Sequence, residues 1–267
     1  MKLVDTHCHI HDCTGGEDHT HQLWEKLGLN GDQLIARAKQ SGVGQMICVG
    51  TDLDDSRLAA EFAAAHNNCY ASIGIHPHEA KRYTKDNATF KQLIKLGQNA
   101  KVVAVGECGL DYFYNHSNPQ DQATLLKLQL EVAIELKLPL IFHVREAFAD
   151  FWPIFDAYPG IRGVLHSFTD SSATLEQALN RGLYIGVNGI ATFAKSPDQL
   201  EMYKSIPLSN LLLETDSPYL TPTPYRGTVN EPKHVARVAE YLAALRSEQV
   251  TTLAARSTDN AHLLFAI

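Results

Sequence analysis

The chain has 267 residues, 45% of them hydrophobic, with 30 acidic against 23 basic side chains and a formal charge of −7 when its 13 histidines are neutral. That length and apolar content support a full core without a disulfide or metal staple and exclude a disordered chain, and the acid excess excludes a basic nucleic-acid tail. No apolar run approaches the roughly 20 residues of a membrane-spanning helix.

From the N-terminus, Met1–Asp5 reaches an acid and then histidines, which does not read as a signal peptide. Short apolar runs then alternate with helical patterns. The strand candidates are Leu3–Thr6, Gln45–Val49, Tyr70–Ile75, Val102–Gly106, Leu140–Phe142, Gly163–Leu165, Leu183–Val187 and Leu211–Glu214. Helix starts are marked by Asp54 or Asp55 before Ser56–Ala65, Asn118 and Pro119 before Gln120–Leu136, and Ser196 and Pro197 before Asp198–Lys204. Each puts a capping side chain ahead of the helix, and the last two add Pro in the first turn. Leu125, Leu128, Val132 and Leu136 form one apolar stripe at helical spacing. Nearly wholly apolar strands separated by such helices imply a parallel sheet covered by helices. Eight units imply a single-domain (β/α)8 TIM barrel over residues 1–267. The alternative, an open doubly wound sheet, lacks its usual phosphate-binding signatures here. Two stretches are long for connections: His11–Asn30, rich in Gly, His and Asp, and Asp216–Asn230, rich in Pro and Thr.

Polar residues gather where the apolar runs stop. His7 and His9, two apart in an extended strand, share a face, while Cys8 turns away. Two imidazoles on one face suit a divalent metal. Glu107 follows the fourth run, His143 the fifth, His166 the sixth and Asp216 the eighth. In a parallel barrel these ends share the rim on which active sites are built. Any one of them could merely cap a helix. Six metal-competent groups at five strand ends, with no Lys or Asn among them, point instead to a metal centre. Four imidazoles and two carboxylates exceed one tetrahedral site with an open position, and suit two divalent ions. His7, His9, Glu107 and Asp216 would serve one ion, and Glu107, His143 and His166 the other, with Glu107 the natural shared carboxylate. Mixed nitrogen and oxygen ligands accommodate Zn²⁺ or Mn²⁺, whereas Mg²⁺ prefers oxygen. His66, His116, His234 and His262 show no partner pattern, His78 reads as solvent-facing or capping, and Cys8 and Cys108 read as wall packing. Five cysteines without a CxxC pair point to a reduced, cytoplasmic setting.

The blocks Asp5-Thr6-His7-Cys8-His9, Ile73-Gly74-Ile75-His76-Pro77-His78, Gly106-Glu107-Cys108-Gly109-Leu110-Asp111-Tyr112, His143-Val144-Arg145-Glu146-Ala147, Leu165-His166-Ser167-Phe168 and Leu213-Glu214-Thr215-Asp216-Ser217-Pro218-Tyr219-Leu220 resemble, in order and spacing, the successive motifs of the TatD family of metal-dependent hydrolases. The resemblance covers essentially the whole chain. It implies a TIM barrel, a divalent-metal centre and a deoxyribonuclease, of the 3′-5′ exonuclease type, that cleaves DNA phosphodiester bonds. On that chemistry a hydroxide held between two metals attacks phosphorus, with Asp216 and Glu107 as the catalytic carboxylates. His76 resembles a residue the family keeps at its active site. It and Arg145 would hold phosphate, and Tyr112 and Arg226 would line the substrate groove, Tyr112 by stacking a base.

Three features depart from the family pattern. His11 stands where Asp or Asn is common, the His11–Asn30 segment is longer and adds Asp18, His19 and His21, and Thr228-Val229 precedes Asn230-Glu231-Pro232 where basic residues are more usual. Asn230-Glu231-Pro232 itself reads as the start of the next helix. The acid balance favours short contact with a single strand or frayed DNA end over a long duplex grip. One rival reading turns the same metals on an aminoacyl-tRNA ester, an amide or a lactone, because fold does not choose substrate. Another is a non-catalytic metal-binding protein, which predicts a lost ligand where none is lost. No heptads or apolar tail call for a protein partner, so a monomer is the default expectation.

Overall fold

The structure, a computed structural model, describes residues 2–15, 19–84, 87–114 and 116–267. Asp18 lies outside the described residues. The strands are β1 (Leu3–Cys8), β2 (Val43–Val49), β3 (Cys69–Ile73), β4 (Val102–Asp111), β5 (Leu140–Arg145), β6 (Gly163–Leu165), β7 (Tyr184–Val187) and β8 (Leu211–Leu213). Their order in the sheet is their order in the chain, β1 to β8, with helical segments between them, the topology of a (β/α)8 fold. Every strand expected from an apolar run is present. β1, β4 and β5 run past those runs to include His7, Glu107 and His143, because backbone pairing continues there whatever the side chain.

Helix starts differ in detail. The helix Leu53–Ala65 begins earlier than its apolar pattern, and its cap is Asp52, whose carboxylate accepts from the N–H groups of Asp54 and Asp55. Asp54 and Asp55 are therefore first-turn acids, favourable at the positive end of the helix dipole. Pro119–Leu136 is capped by Asn118 as expected, whereas Ser196 precedes Pro197–Ser205 without a side-chain cap bond. In Pro119–Leu136 the buried face holds Leu125, Leu126, Leu130 and Val132 together with Gln122 and Gln129, while Leu128 and Leu136 are only half-buried. The two glutamines clamp backbone at strand ends. Gln129 accepts from the Ile75 N–H at 2.7 Å and donates to its carbonyl at 2.9 Å, and Gln122 does the same for Asp111 at 2.7 and 3.0 Å. A buried amide satisfied on both sides locks the backbone it holds.

By packing density the chain divides into two compact units, Met1–Cys48 with Ser167–Ile267, and Val49–His166. In the first, β1 pairs in parallel with β2 and β7 with β8, and the helix Val250–Phe265 packs on β1 and β8. The His11–Asn30 stretch is not a structureless connection. It carries a 3-10 turn at Ile10–Thr14 and a helix at His19–Leu27, held by fully buried Trp24, whose indole N–H donates to the His9 carbonyl at 2.9 Å. Asp216–Asn230 is irregular, as expected, and Asn230 ties it down by donating to the carbonyls of Thr215 and Tyr219 at 3.0 and 2.6 Å. A 3-10 turn at Pro232–His234 then leads into the helix Val235–Arg246.

In the second unit β3 to β6 pair in parallel, and β4 is buried along all ten residues. Gly109 faces His143 in register, and a Cβ there would clash with the His143 carbonyl oxygen. With φ at +148°, only glycine allows β4 and β5 to approach at this point. The five cysteines are free thiols. Cys8 and Cys108 pack in the wall as expected, donating to the Ile47 and Ile141 carbonyls, and burial pushes the Cys108 thiol up. Among the described residues no helix is long and apolar enough to cross a membrane.

Candidate metal-binding clusters

In the first unit, His7, His9 and Asp216 come together. His7 Nε2 lies 3.5 Å and His9 Nε2 3.4 Å from Asp216 Oδ1, and the two imidazole rings meet edge-on at 5.2 Å. Asp216 adopts left-handed backbone (φ 59°) while its N–H donates to the His7 carbonyl at 2.8 Å. Asp tolerates that region better than most residues, and such strain concentrates at functional positions. One turn of alternation below His7, Asp5 accepts from the Thr215 N–H at 2.9 Å and its hydroxyl at 2.6 Å, fixing the backbone just before Asp216. Burial pushes the Asp5 carboxyl well up despite these bonds. His11 and Asp12 are buried beside His9, with His11 Nε2 3.5 Å from Asp12 Oδ1. Arg226 lies over the Phe193 ring, its guanidinium carbon 3.7 Å from the centroid.

In the second unit, Glu107 sits among imidazoles. Its Oε1 is 2.8 Å from His143 Nδ1, 3.3 Å from His166 Nε2 and 3.5 Å from His76 Nε2. Burial pushes the Glu107 carboxyl up, but His166, His76 and His143 together outweigh it and hold the group well below the carboxylate range. His76 caps the turn Pro77–Glu79, its Nδ1 accepting from the His78 N–H at 3.2 Å, so its proton belongs on Nε2, facing Glu107. Burial lowers the His76 pKa to about 4, which keeps the ring neutral near neutral pH.

Asp111, fully buried at the end of β4, organises this cluster. Its Oδ2 accepts from His143 Nε2 at 2.9 Å and from His78 Nε2 at 3.1 Å, and its Oδ1 accepts from the N–H groups of Phe113 and Tyr114 at 3.0 Å each. Burial opposes its charge, but the bonds from His143, His78 and the Tyr114 N–H prevail and hold the carboxyl far down. Burial likewise pulls His143 down, and its bonds to Asp111 and Glu107 raise it above the usual imidazole value. His143 thus presents Nδ1 to Glu107 and is braced through Nε2, the carboxylate–histidine arrangement that orients metal-ligating imidazoles.

Glu107, His143, His166 and His76 therefore share one cluster, and His7, His9 and Asp216 another. Tyr112 is turned aside, its hydroxyl donating to Asp150 at 2.8 Å. Arg145 lies against Phe113 and Tyr114, its guanidinium carbon 3.7 and 5.1 Å from the two ring centroids. His78 is part-buried and bonded to Asp111 rather than solvent-facing, because the short turn after β3 folds it back over β4. His116, expected to have no partner, packs 4.6 Å from His78 and 5.7 Å from Tyr114. His234 is buried, bonded to Asn230 at 2.9 Å and stacked on Tyr225 at 4.8 Å, while His66 and His262 bond Phe62 and Gln45. Asp111 was missed in the sequence. The available signal was an acid closing a glycine-containing apolar strand.

The donor sets fit divalent cations. Around an ion with bonds of about 2.0–2.2 Å, neighbouring donors lie roughly 3 Å apart. The separations of 3.4 and 3.5 Å in the first cluster and 2.8 to 3.5 Å in the second match that spacing. Each set mixes imidazole nitrogen with carboxylate oxygen.

A family model described as TatD related DNase matches residues 4–266. The chain is 36% identical over 246 residues to the "3'-5' ssDNA/RNA exonuclease TatD" of Salmonella typhimurium, covering 88% of this chain and 93% of that protein. It is 34% identical over 268 residues to an "uncharacterized metal-dependent hydrolase" of Buchnera aphidicola, covering 99% and 96%. A crystal structure of YJJV, a TatD homologue from Escherichia coli, superposes with a TM-score of 0.86 at 30% identity, covering 99% of this chain and 98% of that one.

Proposed function

The chain belongs to the TatD related DNase family, and on that premise we propose that it is a divalent-metal-dependent nuclease removing nucleotides from the 3′ end of single-stranded or frayed DNA. The observation that carries the proposal is the buried Glu107 carboxylate, ringed by His143, His166 and His76 and held ionised by them. A buried carboxylate oxygen with three imidazole nitrogens around it is the mixed oxygen and nitrogen donor set that divalent ions of this kind take. The His7–His9–Asp216 set has the same donor chemistry.

In this reading His7, His9 and Asp216 hold one ion and Glu107, His143 and His166 a second, with Zn²⁺, Mn²⁺ or Mg²⁺ as the candidates. Bound there, such ions supply Lewis-acid stabilisation of the phosphoryl oxygens and bring water's pKa toward neutrality. The protein's own groups do the rest. Asp216 Oδ1 orients the attacking water and takes its proton. The His76 Nε2–H donates to a non-bridging phosphate oxygen, and neutrality of the ring at working pH keeps that proton a donor rather than a counter-charge to Glu107. Arg145, laid over Phe113 in the second unit, offers a guanidinium fork to a phosphate next to its own cluster, and Arg226, laid over Phe193 in the first, is by itself a further candidate for phosphate. The net charge of −7 favours short contacts of this kind over tracking along duplex. The free thiols agree with a reducing, cytoplasmic setting, and the proposal needs no protein partner.

The test is incubation of metal-loaded protein with end-labelled single- and double-stranded DNA beside Asp216→Ala. Metal-dependent shortening from the 3′ end by wild type alone supports the proposal. Equal inactivity of both proteins on every nucleic acid removes it.

A further inference from the structure

The loop after β4 carries a feature that neither cluster uses. Phe113 and Tyr114 are 47% and 44% exposed, adjacent in the chain, and meet edge-to-face at 4.7 Å. Exposed aromatic rings cost solvation unless something covers them. Their backbone is fixed, since both N–H groups donate to Asp111 Oδ1, the same carboxylate that braces His143 through Oδ2. Arg145, two residues beyond His143 on β5, lays its guanidinium on the Phe113 face. Among the described residues no carboxylate lies in ion-pair range of Arg145, so its charge remains available.

We propose that Phe113 and Tyr114 form a base-stacking platform for a single-stranded nucleic-acid substrate, with Arg145 meeting the adjoining phosphate. Stacked aromatic faces beside a cation are how single strands are gripped without sequence preference, and paired bases in a duplex present no free face to them. The substrate class selected is therefore unpaired nucleic acid with an intact base at the platform. The inference rests on the nuclease reading for its ligand, and it moves the stacking role from Tyr112, whose hydroxyl is committed to Asp150, to its two neighbours. Asp111 ties the backbone that carries the platform to His143, so a base held on the rings would place the adjoining backbone on the His143 side.

The experiment is fluorescence anisotropy of metal-loaded protein with single-stranded oligonucleotides whose 3′-terminal linkages are phosphorothioate to slow hydrolysis. One oligonucleotide is complete and one is abasic at the terminal positions. Wild type is expected to bind the complete strand roughly 5- to 160-fold more tightly, the range for one base–aromatic stack. Phe113→Ala/Tyr114→Ala is expected to lose most of that preference, and Phe113→Tyr/Tyr114→Phe to restore it. Equal binding of both strands by wild type, or full preference in the alanine variant, overturns the platform. Cleavage of an unmodified strand by the same preparation is scored separately. Base preference without cleavage would keep the platform and remove the nuclease, and cleavage without preference would do the reverse.

Discussion

Asp111→Asn separates the bracing of His143 from its chemistry. The carboxylate accepts four hydrogen bonds, two from imidazoles at 2.9 and 3.1 Å and two from backbone N–H groups at 3.0 Å, in a site only 1% exposed. Asparagine keeps one acceptor oxygen, which can stay with the Phe113 and Tyr114 N–H groups, but turns an NH₂ toward His143 and His78. Charge-assisted bonds contribute about 1.5–3 kcal/mol each, and an unpaired buried donor costs about 1–3 kcal/mol. Because the two imidazoles can change tautomer, the net loss expected is about 2–4 kcal/mol, or roughly 4–16 °C in Tm for a chain of this size. Losing the brace on His143 should also weaken metal binding about 10- to 100-fold. The sign of the pH dependence follows from the carboxyl being held far below its unfolded value of about 3.9. Its stabilisation is fully present above that value and is lost as pH falls through it toward the folded pKa, so the wild-type advantage over Asp111→Asn shrinks in acid. Thermal unfolding at neutral and acid pH, with metal titration by calorimetry, measures both effects. A variant within about 1 °C of wild type with unchanged metal affinity would refute the bracing role.

Gln129→Leu strands the N–H and carbonyl of Ile75 in the core next to His76, and is expected to cost about 2–4 kcal/mol in urea unfolding despite the better apolar match. His234 is held to a pKa of about 4, by burial first and then by Lys233 and Arg37. Unfolding raises its proton affinity, so stability is full above about 6.5 and falls by on the order of 2 kcal/mol, allowing for screening, as pH drops toward 4. His234→Gln should flatten that stretch of the stability–pH curve. Reading residues 1–267 as one domain predicts a single cooperative calorimetric transition, and two resolved transitions would divide the chain.

Much of the fold was legible because parallel strands buried on both faces announce themselves as apolar runs. Their ends were less so, since His7, Glu107 and His143 extend the strands with side chains that apolarity excludes. One further element was hidden, and the buried face of another is only partly apolar. Trp24 anchors a helix inside a polar stretch that reads as loop, and Gln122 and Gln129 interrupt an apolar stripe because their amides are spent on strand-end backbone. The imidazoles and acids of the two clusters were readable from their recurrence at strand ends. Asp111, His78 and the exposed Phe113–Tyr114 pair were not, because their meaning lies in partners 31 to 33 residues distant that only the β4–β5 register and the turn after β3 bring near.

On the proposed reading each cluster holds one divalent ion. Elemental analysis of metal-saturated, gel-filtered protein is the most direct measurement of it. Two equivalents are expected in wild type, with the loss of one in Asp216→Ala and of one in His143→Ala. Fewer than two equivalents in wild type, or full occupancy in both variants, would contradict it.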